Sequence, residues 1–143
     1  MPIKDTKSAK YTALLRDSYS AITVGVHSED GDREEGPTNV DIATAHVLGL
    51  GVPKRDFIRP WVDRHATEHK RMIQNEFAKA RIAGRPPATA GRRVALVMEG
   101  NMKAEFAILP ELSDATKRRK GSSTPLVDTG VLRASVRGKY EAS

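Results

Sequence analysis

The chain contains no cysteine, which rules out disulfides, thiolate zinc sites and thiol chemistry together. Its stability must come from packing or from association with other chains. Aromatic residues are scarce: one Trp, three Tyr and three Phe in 143 residues. So few, so dispersed, they give no interleaved stacking platform for single-stranded nucleic acid. Long hydrophobic runs are missing too. Val94 to Met98 and Phe106 to Leu109 fall far short of the roughly 20 apolar residues that cross a bilayer. The opening MPIKDTKSAK lacks the apolar core of a signal peptide, so a soluble, non-membrane protein that is not exported is expected.

What is present is charge. With 29% charged and 38% hydrophobic residues and a mean hydropathy of −0.49, residues 1–143 are expected to form one domain with much surface left to solvent or partners. The net charge is +6 and the pI about 9.8, a balance that bears on association with polyanions rather than on fold. The signs are segregated. Basic residues gather at Lys70-Arg71, Arg92-Arg93 and Lys117 to Lys120, whereas Glu29, Asp30, Asp32, Glu34 and Glu35 make an acidic loop at about 28–38. The run Lys117 to Lys120 could bind phosphates or serve as a localisation tag, but is most simply a solvated face.

The order of elements reads as α+β: a small β-sheet packed against one long and several shorter helices. Ala21 to His27 alternates β-branched positions and predicts a strand. Asn39 is placed to cap a short helix carrying Val40, Ala43 and Val47, ended by Gly49 and Gly51. A long helix is predicted from Pro60, with Val62, Ala66, Met72, Ile73, Phe77 and Ala80 on one stripe, until Gly84 and Pro86-Pro87. A further helix is expected over Arg92 to Leu109, and a short turn capped by Ser113 through Lys120. Residues 121–125 predict a Gly/Ser/Pro loop. Asp128 or Thr129 is then expected to cap one or two turns over Gly130 to Ser135, with a strand over Val136 to Tyr140. There is no internal repeat.

Two spellings imitate catalysis. Asp128-Thr129-Gly130 is the triplet of aspartic proteases, in which two aspartates share one proton. Only one copy is present, and a basic Gly/Ser/Pro stretch leads into it instead of an apolar strand. A structural turn is the better account. His65-Ala66-Thr67-Glu68-His69 matches the H-x-x-E-H of inverted zincins; on a helix His65 and His69 could reach one zinc while Glu68 polarised its water. A third ligand is needed, with Asp63 nearby, and the alternative is a pair of solvated histidines beside Arg64, Lys70 and Arg71. His27 and His46 are isolated. Neither a metal nor a cofactor is expected.

Three stretches, taken in order, resemble the phage virion morphogenesis and tail-completion family. Val24-Gly25-Val26, followed after the acidic loop by Asn39 to Gly49, is similar to a strand and short helix ending in "H-x-x-G". Val52 to Pro60 is similar to a "P-x-R-P-F-L-R-P" entry into a long helix, with Asp56 where the family phrase has Pro. Lys120 to Ser135 is similar to "K-x-x-x-P-L-x-D-T-G-x-L-R-x-S". Of the matching positions, the resemblance marks Phe57, Arg59, Pro60, Pro125, Leu126, Asp128, Thr129, Gly130, Leu132, Arg133 and Ser135 as the assembly or structural motif. The resemblance implies a structural, non-enzymatic virion protein at the head-to-tail junction, made in the host cytoplasm. It implies a homo-oligomeric ring of six copies that contacts head-connector, neck and tail-tube proteins while DNA passes through the lumen without sequence-specific binding. In such a ring Lys117 to Arg119 would face another chain or the channel, and Glu29 to Glu35 the periphery or a subunit junction. The alternatives are a small basic nucleic-acid-binding protein and a metal-dependent hydrolase using His65, Glu68 and His69.

Overall fold

The computed structural model describes residues 20–29, 35–107 and 125–142, with only the backbone of residues 125–129. The elements run β1 (Ala21–Val26), α1 (Asn39–Leu48), α2 (Ile58–Ile82), α3 (Pro87–Glu105), α4 (Pro125–Ser135) and β2 (Val136–Glu141). The α+β expectation holds: β1 and β2 form a two-stranded antiparallel sheet packed against the helices. The basic run Lys117 to Lys120, the turn expected after Ser113 and residues 30–34 of the acidic loop lie outside the described residues.

Local chemistry explains the element boundaries. α1 is capped by Thr38, one residue before Asn39: its hydroxyl accepts from the Asp41 N–H at 3.1 Å, and the Asp41 carboxylate accepts from the Thr38 N–H at 3.0 Å. This reciprocal capping box displaces Asn39 from the cap into the first helical position. Gly49 then closes the helix at φ 75°, a left-handed conformation that glycine adopts without steric cost. α3 starts five positions before the expected Arg92, at Pro87, and stops at Glu105 rather than Leu109. Pro86 is extended, with ψ 141°, as a residue preceding proline prefers. Pro87 meanwhile supplies the fixed φ that suits a first helical residue. Thus the proline pair that ends one helix also begins the next.

α2 and α3 form an antiparallel hairpin, and the sheet lies along α3. Small residues make that approach possible. Gly138 of β2 sits against the Ala95 backbone and the Tyr140 ring covers Gly91; Phe77 of α2 meets Tyr140 with ring centroids 6.3 Å apart. At the other end of the hairpin the core gathers Ala43, Phe57, Trp61, Met102, Phe106, Leu132 and Val136, with Val24, Val26, Ile42, Val47 and Met98 around it.

Candidate assembly surface

The residues carrying the family resemblance divide between core and surface. Phe57 is 1% exposed and lies 4.7 Å from Phe106 between ring centroids, tilted by 33°. Leu132 is buried in the same cluster, and Ser135 sends its hydroxyl to the Leu132 carbonyl at 2.6 Å. Arg59, Gly130 and Arg133 are exposed, and Pro60 is half-buried in the first turn of α2. The second and third phrases therefore meet through Phe57 and Leu132 and present two arginines outward.

The third phrase is helical earlier than expected. α4 begins at Pro125, so Pro125 opens a helix instead of closing a loop, and Asp128 and Thr129 lie within the helix rather than before it. The capping role expected for them is therefore corrected: Pro at the first helical position already fixes the start. The side chains of Pro125, Leu126, Asp128 and Thr129 lie outside the described residues.

Capping does occur at Asp56, where the family phrase has Pro. Its Oδ1 accepts from the N–H groups of Ile58 and Arg59, both at 3.0 Å, satisfying orphan donors at the start of α2. Asp56→Ala should cost about 1 kcal/mol of stability in chemical denaturation, and Asp56→Asn distinctly less, because an amide oxygen still accepts.

The histidines of the zincin-like spelling are held by α3. His65 and His69 stack, with ring centroids 5.3 Å apart and planes at 16°. The Asn101 amide lies 3.1 Å from His69 Nε2; Glu68 turns to His65 Nδ1 at 3.4 Å. Among the described residues no three His, Asp or Glu side chains form a group able to hold a metal ion. The buried Glu105 carboxylate ties the cluster together, accepting from Arg64 Nη1 at 2.6 Å and lying 3.6 Å from His65 Nε2. Sequence reasoning missed these partners, since Arg64 and Glu105 are far apart in the chain and meet only through hairpin pairing.

Burial lowers the pKa of His69, the neighbouring His65 lowers it further, and Glu68 opposes both. A histidine with a folded pKa below its unfolded value binds protons more readily when unfolded, so its stabilising share is lost as pH falls through about 6.5. The denaturation midpoint should therefore drop between about pH 7.5 and 5.5, and His69→Gln should flatten that slope whatever it does to stability itself. Glu76, whose pKa the Lys79 hydrogen bond lowers, loses its contribution only at more acid pH.

Two surface features remain. The tip of the α2–α3 hairpin carries Lys79, Arg81, Arg85, Arg92 and Arg93, all exposed, against the single carboxylate Glu76. Beside them Ile82 is 88% exposed. Apolar Leu48, Leu50 and Leu96 are also open to solvent, and an open groove of about 350 Å³ runs along α2 past Trp61, Val62, Ala66, Ile73 and Met98. The acidic loop touches the sheet through Glu29, whose carboxylate accepts from Lys139 Nζ at 2.8 Å; that bond lowers its pKa. No described helix is long and apolar enough to cross a membrane. Compared with protein-family models, curated proteins and solved structures, the chain matches none.

Proposed function

We propose that the chain is a structural subunit of a bacteriophage virion that acts in tail completion or head-to-tail joining. Copies of it form a ring, six in number by the resemblance, at the neck between the head connector and the tail tube. It works by contact rather than by catalysis, in the assembled particle and, before that, in the host cytoplasm. The observation that carries this reading is the order of the three family-like phrases together with the meeting of Phe57 and Leu132 in one core. Uncovered Leu48, Leu50, Ile82 and Leu96 suit a subunit whose neighbours cover what its own chain does not. DNA sliding through such a ring calls for a modest positive lining, since tight phosphate neutralisation would grip the duplex.

Purified phage particles should contain the protein in a fixed number of copies, and electron microscopy should place its density at the neck. A lysate from a phage lacking it should hold free heads and free tails. Complete, infectious particles without the protein would overturn the proposal.

The exposed basic hairpin tip favours one other reading, a small nucleic-acid-binding protein. That protein would bind short duplexes with an affinity falling steeply with salt and would be absent from purified particles.

A further inference from the structure

The two outer edges of the sheet are unlike. On β2, Gly138 donates its N–H to Glu99 Oε2 at 2.9 Å, and the Val136 carbonyl accepts from Arg137 Nη1 at 2.8 Å. Both groups point away from β1 and are already satisfied. Opposed residues in an antiparallel ladder alternate between pairs that exchange hydrogen bonds and pairs whose N–H and C=O turn outward. Val24 stands opposite Gly138 and Ile22 opposite Tyr140, so the backbone groups of Ile22 and Val24 turn outward on β1. Among the described residues no backbone group beyond the ladder pairs with either. β1 also lacks the usual protections of an open edge: AITVGV contains no charge and no proline, and such an edge is a template for another strand.

We propose that β1 pairs with β1 of a second copy, antiparallel about a two-fold axis at Thr23, to make one continuous four-stranded sheet. The occupant follows from the other edge: with the central donor of β2, Gly138 N–H, held by Glu99 and its Val136 carbonyl held by Arg137, β1 is the described strand better placed to pair. About Thr23, Ile22 of each copy exchanges hydrogen bonds with Val24 of the other. Thr23 meets its own counterpart in the close, non-hydrogen-bonded position, where hydroxyl-bearing residues pair favourably. Ala21 meets Gly25 and Ser20 meets Val26, so no like charges are opposed. Two strands alone are marginal in water, whereas a wider sheet over a helix is not. The contact is isologous and closes on itself; a head-to-tail ring uses a separate surface, so this pairing stands or falls apart from the ring.

Amide hydrogen exchange on the unaltered protein tests it. Thr23 and Gly25, whose N–H groups face β2, should be protected at every concentration. Ile22 and Val24 should gain protection of at least about tenfold only where sedimentation shows association. A chain monomeric at all concentrations overturns the proposal, as does fast exchange of Ile22 and Val24 in the associated form. Protection independent of concentration overturns it too, for then another part of the same chain covers the edge. Thr23→Cys, in a chain with no other cysteine, should oxidise to a disulfide-linked dimer at the short Cα separation of a non-hydrogen-bonded pair, while Thr67→Cys on the exposed face of α2 should not. Equal yields from the two would overturn the register. Ile22→Pro removes an outward N–H and spares the ladder to β2, so it should give a monomer with unchanged helical circular dichroism; a persistent dimer would overturn the pairing.

Discussion

Gly138→Ala is expected to destabilise the protein by more than about 3 kcal/mol, the upper end of what overpacking costs. A Cβ at that position would overlap the Ala95 carbonyl oxygen and stand 2.7 Å from its carbon and 3.2 Å from its Cα. These are backbone atoms of a buried helical turn, so no rotamer change relieves the clash; α3 and β2 must separate. That separation would also break the Gly138 to Glu99 hydrogen bond and leave the carboxylate with Lys103 alone. Burial pushes the Glu99 pKa up, but the hydrogen bonds from Lys103 and Gly138, together with the Lys103 and Arg137 charges, outweigh it and hold the group below its ordinary value. Gly100→Ala provides the opposite sign. Nothing lies within 4 Å of its would-be Cβ, and removing a glycine from an exposed helix interior should stabilise by up to about 1 kcal/mol. Urea denaturation of both variants reads the contrast directly. Equal effects from the two would refute the close approach of strand and helix.

Phe57→Ala should cost about 3–5 kcal/mol, the range for removing a buried aromatic ring. The ring is covered by Phe106 and joins Trp61, Met102 and Leu132 in the core; Met102, Phe106 and Leu132 are anchored on other segments of the chain, which limits how far the space can close. Phe57→Leu keeps most of the volume and should cost much less. Arg59→Ala, two residues on and exposed, should change stability by no more than about 0.5 kcal/mol. If Arg59 serves assembly, its loss should appear instead as free heads and tails from a subunit that melts normally. A large loss of subunit stability from Arg59→Ala would remove the division between a core half and a surface half of this phrase.

Much of the fold is legible from local pattern. β1 appears where β-branched alternation predicts it, β2 where a closing strand is expected, and Gly49 and Gly84 end α1 and α2 as their φ values of 75° and 64° require. The stripe along α2 is only partly so. Val62 is exposed while His69 is buried, because α3 brings Asn101 to satisfy the imidazole, and a one-dimensional pattern scores histidine as polar. The same neighbour sets the surroundings of the zincin-like spelling, whose two histidines stack on each other with His69 beside Asn101 and His65 near Glu105, none of which the spacing alone reveals. Pro86-Pro87 reads equally well as a stop and as a start, and the structure uses it as both. What the sequence hides most completely is the pairing of β1 with β2 across the whole described chain, which rests on Gly138 and Gly91 allowing close approach, a property visible only once their neighbours are placed.

That pairing has a mechanical consequence. Ala21 stands opposite Glu141, so the chain enters and leaves the sheet at the same end. Tension drawn through the two flanking segments would peel the ladder open one rung at a time, beginning at Ala21 and Glu141, instead of shearing all its rungs together. The sheet should therefore yield at low force while the α2–α3 hairpin, off the line of pull, stays folded. A chain folded this way is poorly suited to bear load through the segments flanking its sheet, so where load must be carried it has to pass through packed faces rather than along the chain.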